Sequence, residues 1–244
     1  MRRAGGLEDI VPEIAGSAAR NRFLAALPPH IGQRIRPLLK PVAFRRGNVL
    51  EHVSAPTEYL YFPDRGLISL MKVLRDGQIS EVGVVGTEGL VGPSALFGIS
   101  ESPFETIVQL DGEGRRLNVA ALQAEMADPL LKQLVLRYTN YRVNRFAQLI
   151  ACNRLHNLRQ RCCRWLLTAA DSAQIGTICM THEFLALMVG THRPALSSVL
   201  ATLQRDGLIK MQRSSIAIAN RAGLVEACCE CYDTLQEELE RLYR

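Results

Sequence analysis

The chain has 244 residues, of which 48% are hydrophobic and 22% are charged, so it encodes a folded protein rather than a disordered one. No apolar run is long enough to span a bilayer and no apolar signal segment follows the N-terminus, so we expect a cytoplasmic protein with no membrane partner. The net charge of +5 is uneven, because residues 129–221 hold 13 Lys and Arg against 3 Asp and Glu. This basic block suits contact with phosphates.

The first 128 residues divide into a leader and a glycine-rich region. Residues 1–22 lack periodicity and predict a flexible leader, and a short helical segment follows, broken by Pro28-Pro29. Ten of the 18 glycines lie between Gly47 and Gly114, where they separate short apolar runs. Asp76-Gly77 predicts a hairpin, and residues 64–66 and 86–89 carry further turn signals. The pattern predicts an antiparallel β-roll over residues 23–128.

A long helix is expected over residues 129–156, after a short one over residues 120–128. Positions 131, 134, 138, 141, 145, 148, 152 and 155 follow an alternating spacing of three and four, which is typical of a helix that pairs with a copy of itself. The alternative is that the helix packs on the roll, and both can hold because a long helix has several faces. The residues predicted to form the dimer interface are Leu131, Leu134, Tyr138, Tyr141, Arg145 and Gln148.

The stretch from Thr181 to Leu208 predicts two helices joined by a glycine turn. Thr181 and Thr191 are candidate N-caps, Gly190 suits the left-handed turn, and Pro194 lies in the first turn of the second helix. The apolar residues of both helices recur at helical spacing, which leaves a polar outer face on the second helix. That face is where a recognition helix presents side chains to the DNA major groove. Its residues are His192, Arg193, Ser197 and Ser198.

The flanking segments complete a DNA-binding domain over residues 157–244. A helix over residues 157–173 precedes the pair, and two short apolar runs around a polar tip at residues 212–215 predict a wing. A helix capped by Asn220 follows, and residues 233–244 are acidic and amphipathic.

All seven cysteines lie in the second half of the chain. An odd number in a cytoplasmic protein argues against a disulfide framework, so we interpret them as structural thiols and expect no metal and no cofactor. The alternative is a thiol- or metal-responsive redox regulator that uses Cys228, Cys229 and Cys231. A different alternative is an enzyme housed in the roll. It lacks a nucleophile–base pair, because the candidate bases His30 and His52 lie in predicted loops without an evident partner. Neither a P-loop nor a GxSxG motif is present, so no catalytic residue is expected.

The order of these parts resembles the Crp/Fnr family of bacterial transcription regulators, over about residues 20–230. The resemblance is strongest in EFLALMVGTHRPALSSVLATLQRDGLI and in YLYFPDRGLISLMKVLRDGQISEVGVVGTEGLVG. It implies an α+β protein with an N-terminal cyclic nucleotide-binding-like β-roll, a long dimerisation helix and a C-terminal winged helix-turn-helix. It also implies a homodimer on a pseudo-palindromic double-stranded DNA site, with RNA polymerase as a further partner and a signal of unspecified chemistry received by the roll.

The resemblance assigns roles to individual residues in the DNA-binding domain. Arg193 would read guanine, Ser197 and Ser198 would be secondary readers, and Thr191 and His192 would lie near the backbone. Thr181, Lys210 and Arg213 would contact phosphates. Pro194 and Ser198 stand where many members have a glutamate and a second arginine, so the target sequence should differ from the family's standard half-site.

The roll departs from members that bind cyclic nucleotides. Gly92 is retained, but Pro93 replaces the glutamate of the phosphate cassette. Residues 104–106 are Phe-Glu-Thr where an arginine and a serine are expected, so a phosphate would meet an acid and no guanidinium. Residues 1–151 contain no cysteine, which excludes the N-terminal cluster of oxygen-sensing members. We therefore do not expect control by cyclic AMP through the usual contacts, and the sequence leaves open which effector acts or whether one is needed.

Overall fold

The computed structural model describes residues 20–244. The predicted flexible leader, residues 1–22, lies outside the described residues except for its last three. For those three the prediction is wrong, because Asn21 is fully buried and caps the first helix by accepting a hydrogen bond from the Leu24 amide. Its own side-chain amide donates to the carbonyls of Pro63 and Gly89, so the segment that leads into the first helix is fixed to the roll.

The N-terminal domain is an antiparallel roll, as predicted. Its five strands form one sheet in the order β1-β5-β3-β4, and β2 pairs with β5. The helices that precede it are α1 (Arg22–Ala25) and α2 (Pro29–Ile35), followed by a 3₁₀ turn over Arg36–Leu38. The strands are β1 (Lys40–Phe44), β2 (Val49–Glu51), β3 (Tyr59–Val73), β4 (Ile79–Val85) and β5 (Glu105–Asn118).

The longest strands pass through segments that the sequence marks as turns. The turn expected at residues 64–66 is wrong, because β3 continues through it with shifts in its pairing to β5. Gly66 has a φ of +93°, and a Cβ there would lie 2.9 Å from the carbonyl oxygen of Leu110. The glycine therefore allows a bulge at a close approach of two strands. The predicted hairpin at Asp76-Gly77 is confirmed, since it joins β3 to β4.

The long helix is α4 (Pro129–Leu155), which follows α3 (Val119–Gln123) and is capped by Asp128. Most of the residues predicted to face a partner subunit are buried within the protomer. Tyr138 exchanges two hydrogen bonds with the backbone of Leu90, and Arg145 pairs with the buried carboxylate of Glu88 at 3.4 Å. The side chains that lie on the roll and the C-terminal helix are Leu131, Leu134, Tyr138, Tyr141, Arg145 and Gln148.

The stripe predicted to form a dimer interface is therefore covered within the protomer and presents little surface to a second chain. Regular spacing along a helix identifies an apolar stripe, but it does not say which surface covers it. A second stripe on α4 stays exposed and consists of Leu136, Val143, Ala147 and Ile150. Leu136, Val143 and Ile150 are seven residues apart and 50%, 58% and 71% exposed. This spacing is that of one seam position of a coiled coil.

The C-terminal domain is helical with a small sheet in the order β6-β8-β7. The wing predicted from the sequence is the hairpin of β7 and β8, and β6 is an additional strand. The elements are α5 (Leu158–Ala173), β6 (Thr177–Cys179), α6 (His182–Met188), α7 (Arg193–Arg205), β7 (Ile209–Gln212), β8 (Ser215–Ile218), α8 (Arg221–Glu226) and α9 (Cys231–Leu242).

The two domains share a core. Leu67, Met71 and Leu110 of the roll pack with Trp165 and other apolar residues of the C-terminal domain. The Trp165 indole donates to Glu81 of β4 at 2.9 Å. Helix α9 lies along α4, where Leu239 and Leu242 join the core beneath it. Among residues 20–244 no single helix is long and apolar enough to cross a membrane. Helices α6 and α7 reach the required length and composition only when they are taken together, and they are bent sharply at the turn between them.

Candidate DNA-binding surface

The predicted pair of helices is present, and its geometry is that of a helix-turn-helix. The axes of α6 and α7 differ by 101°, within the range typical of this motif. Gly190 has a φ of +66° and ends α6, while the Thr191 amide donates to the Ala186 carbonyl at 2.9 Å. The predicted cap at Thr191 is wrong, because His192 occupies the N-cap position of α7 and makes no side-chain capping bond.

Helix α7 has one buried face and one outer face. Leu196, Leu200 and Leu203 are fully buried in the core that also holds Leu185 and Ala186 of α6. The outer face is exposed along the whole helix, as its apolar spacing predicts. The exposed residues of α7 are Arg193, Pro194, Ser198, Ala201, Gln204 and Arg205.

The predicted base-reading residues differ in their solvent exposure. Arg193 begins α7 and is exposed, as are His192 before it and Ser198 one turn later. Ser197 is half-buried, and its hydroxyl lies 3.1 Å from Nδ1 of His182. A hydroxyl has one donor and two acceptor lone pairs, so this contact orients Ser197 and leaves it up to two further hydrogen bonds.

The predicted phosphate contacts surround α7. Thr181 caps α6 by accepting from the Phe184 amide at 3.3 Å, and it remains exposed. Lys210 on β7 and Arg213 at the tip of the wing are exposed. Gln204 accepts from the Met211 amide at 2.9 Å, which fixes the wing to α7. The wing and the recognition helix therefore form one continuous surface.

Sequence reasoning missed three residues on this surface. Ala201 and Arg205 extend the exposed stripe from Ser198 toward the C-terminus of α7, and helical periodicity alone could have identified them. His182 carries no such signal, since its contact with Ser197 crosses between two helices.

The cavity beside Gly92 and Pro93 in the roll is small and is lined by an acid. Glu51 is buried and accepts hydrogen bonds from the hydroxyls of Thr57 and Thr106 at 2.9 and 2.8 Å. It lines a cavity of about 10 Å³ together with Pro93 and Arg142, which is room for about one water molecule. Two details of the sequence analysis are wrong here. The facing acid is Glu51 rather than Glu105, and α4 does contribute a guanidinium, that of Arg142.

The two histidines considered as catalytic bases both have carboxylate partners. His30 lies in α2, with Nε2 2.6 Å from Asp128, and His52 Nδ1 lies 2.9 Å from Glu105. The expectation that they lack partners is therefore wrong. Each is an exposed surface pair, and among the described residues neither contacts a Ser or Cys that could act as a nucleophile.

The C-terminal cysteines do not form the trio that the sequence suggests. The Cys228 thiol donates to the Gln160 carbonyl, and burial raises its pKa to about 11. Cys229 and Cys231 instead meet Cys152 of α4, with His156 beside them. The histidine was missed because it lies more than 70 residues before the cysteines in the chain.

Comparison with known proteins agrees with this architecture. Residues 160–227 match the family described as the Crp-like helix-turn-helix domain. A CRP-like cAMP-activated global transcriptional regulator of Mycobacterium tuberculosis is 26% identical over 198 residues, which cover 75% of this chain and 85% of that protein.

Two solved structures share the fold. FixK2 from Bradyrhizobium japonicum is similar with a TM-score of 0.66 at 16% identity, and the match covers 78% of this chain and 98% of that one. A CRP-family transcriptional regulator from Thermus thermophilus is similar with a TM-score of 0.64 at 23% identity, covering 76% and 95%. Residues 160–227 thus carry a Crp-like helix-turn-helix domain, and the chain is similar to Crp/Fnr-type DNA-binding transcription regulators in sequence and in fold.

Proposed function

We propose that the protein acts as a homodimer whose two α7 helices read the halves of a pseudo-palindromic DNA site. The observation that carries this proposal is the exposed stripe that begins at Arg193 and runs along α7 opposite its buried leucines. Dimeric proteins of this kind bind two half-sites about one helical turn apart. A cytoplasmic location and RNA polymerase as a partner follow from the role of a transcription regulator.

Arg193 is the principal base reader. Its guanidinium is exposed at the N-terminal end of α7, where recognition helices contact base edges, and it can fork to O6 and N7 of guanine. Ser198 and Ser197 are secondary readers, the second oriented by His182. Ala201 lies one turn further along the same face and suits contact with a thymine methyl group.

Residues around the recognition helix bind the phosphate backbone. Lys210 and Arg213 are exposed cationic residues of the wing, and Arg205 is a third at the end of α7. Thr181, Thr191 and His192 lie at the helix starts, where hydroxyl, imidazole and amide groups suit phosphate oxygens. These contacts contribute affinity without sequence information.

The dimer forms along the exposed stripe of α4 rather than along the stripe predicted from the sequence. Leu136, Val143 and Ile150 with Ala147 present an apolar surface with coiled-coil spacing, and no described residue of the same chain covers them fully. A second copy of α4 would bury this stripe and would hold two α7 helices in a fixed relation.

Control by cyclic AMP through the usual contacts is not expected. The buried carboxylate of Glu51 would repel a phosphate anion, and the cavity beside it holds about 10 Å³. Although Arg142 lines the same cavity, a nucleotide would have to displace the two threonine hydrogen bonds to Glu51. Calorimetric titration of the dimer with cyclic AMP should give no heat of binding, and DNA affinity should not change on its addition.

The test of the DNA-binding proposal is selection of bound sequences from a random duplex pool, followed by affinity measurements on the selected site. Arg193→Ala should lose on the order of 1–3 kcal/mol and relax base preference at one position of each half-site. Arg213→Ala should weaken all sequences together and reduce the slope of log affinity against log salt by about 1. Arg36→Ala, an exposed arginine on the roll, is the matched control and should change neither. Equal weakening of all sequences by Arg193→Ala would exclude its role as a base reader.

A further inference from the structure

Four potential metal ligands meet where the long helix ends. Cys152 lies in the last turn of α4 and His156 is its C-cap residue, while Cys229 and Cys231 lie at the junction of α8 and α9. One sulfur or ring nitrogen from each lies within 4.8 Å of all the others. The three cysteines are buried, and the His156 side chain is only 17% exposed.

The distances fit a tetrahedral ion. The sulfurs of Cys152 and Cys229 are 3.6 Å apart, and the sulfur of Cys231 lies 3.5 Å from Nδ1 of His156. With Zn–S bonds of about 2.3 Å and Zn–N bonds of about 2.0 Å, tetrahedral angles place neighbouring ligand atoms about 3.5–3.8 Å apart. An iron–sulfur cluster needs more space between its cysteines, because several irons and inorganic sulfurs lie between them.

The histidine is held in the orientation that a metal ligand requires. Its Nε2 lies 3.2 Å from the carboxylate of Glu230 and its Nδ1 lies 3.5 Å from the sulfur of Cys231, so an imidazole that donates from Nε2 to Glu230 would offer the Nδ1 lone pair to an ion in the cluster. A carboxylate on the distal nitrogen is the usual partner of a metal-binding histidine, because it fixes the ring and raises its basicity.

The surrounding donors suit thiolates rather than thiols. Arg164 is buried, and its Nε donates to the sulfur of Cys152 at 3.2 Å. Gln148 donates its side-chain amide to the sulfur of Cys231 at 3.1 Å. Three thiolates, one neutral imidazole and a divalent ion carry a net charge of −1, which the guanidinium of Arg164 neutralises. A thiolate accepts hydrogen bonds from these donors more strongly than a neutral thiol, which is a weak acceptor.

We propose that Cys152, His156, Cys229 and Cys231 bind one zinc ion per chain in a closed structural site. The four protein ligands leave no open position for a substrate. The ion would connect the end of α4 to the start of α9, beside the point where α5 begins the DNA-binding domain. It would therefore hold α9 against α4 and stabilise the junction between the two domains. This inference is independent of the proposed base contacts, because metal uptake is measured without DNA.

The full chain, purified under reducing conditions and stripped of metal, is titrated with Zn²⁺ and separately with Co²⁺ as a spectroscopic probe. We expect one ion per chain, ligand-field and thiolate-to-cobalt absorption bands typical of a tetrahedral site, and a higher melting temperature with Zn²⁺. Cys229→Ser should weaken binding more than about 100-fold, since loss of a residue that only orients a ligand already costs about 10–100-fold. His156→Gln tests the site at a partly exposed position, where substitution disturbs the core least.

The adjacent residue is the matched control. The Cys228 side chain packs beside the cluster, but its thiol donates to the Gln160 carbonyl and is not among the four ligand atoms, so Cys228→Ser should bind one ion with the native spectrum. The exposed Cys179 should likewise be replaceable by serine without effect. The proposal is overturned if the reduced native chain takes up no Zn²⁺ or Co²⁺. It is also overturned if Cys228→Ser and Cys229→Ser lose the ion equally, or if a Cys152–Cys229 disulfide forms in its place.

Discussion

Replacing Val143 by glutamate tests which face of α4 makes the dimer. The side chain is 58% exposed at the centre of the stripe formed by Leu136, Val143, Ala147 and Ile150. In a coiled coil two copies of this residue would face each other across the axis. The substitution removes apolar surface from both chains and brings two carboxylates together, while the roll contacts of α4 on its other faces remain.

The size of the effect follows from the exposed fraction. Full burial of a valine side chain contributes about 1.5–3 kcal/mol, so burying the exposed 58% contributes roughly 1–2 kcal/mol in each chain. The two chains together lose roughly 2–4 kcal/mol, and repulsion between the carboxylates adds about 1 kcal/mol or more. A loss of about 3 kcal/mol or more raises the dimer dissociation constant by at least about 100-fold.

Sedimentation equilibrium at several protein concentrations measures this constant directly. Val53→Glu is the control, because it places the same charge at a valine that is 39% exposed on the roll, outside α4. It should leave the dimer intact. A dissociation constant for Val143→Glu within a few-fold of the native value would refute the assignment of this face, and so would a native chain that is monomeric.

Three further substitutions test the stability of the folded chain. Leu131→Ala, on the buried stripe of α4, should lower the free energy of unfolding by about 2–5 kcal/mol in urea titrations and should leave the dimer dissociation constant unchanged. A raised dissociation constant would favour the interface predicted from the sequence, which includes Leu131. Burial raises the pKa of Glu81 to about 7, although Ser69, Trp165, Arg164 and Arg145 all lower it. The native protein should therefore lose up to about 3 kcal/mol of stability as pH rises from about 4 to 7, because the folded state binds the proton more tightly than the unfolded state. Glu81→Gln should remove that part of the pH dependence, and an unchanged slope would contradict the raised pKa. Thr181→Ala should lower the free energy of unfolding by about 1 kcal/mol, because it removes the side-chain cap of α6. Thr191→Ala is the control and should leave the free energy of unfolding nearly unchanged, since Thr191 caps no helix.

The helix-turn-helix was largely predictable because its determinants are local. Thr181, Gly190 and Pro194 specify the ends of two short helices, and the leucines of α7 mark its buried face within four turns. Asp76-Gly77 determines a hairpin in the same way. The error at Gly66 has a physical origin, since a glycine that permits a turn equally permits a close approach between strands. Only the pairing partner distinguishes the two.

By itself the sequence determined most of the elements, their order and the outer face of α7, because propensity, capping and periodicity act over a few residues. Tertiary structure alone decided what covers each face of α4. Arg145 pairs with Glu88, which is 57 residues away in the chain, and the sulfur of Cys152 meets that of Cys229, which is 77 residues away. Both pairings depend on where the roll and α9 pack against the same helix. A side chain's spacing shows that it will be buried, but its partner is selected by the shapes and charges of distant segments that fold onto it.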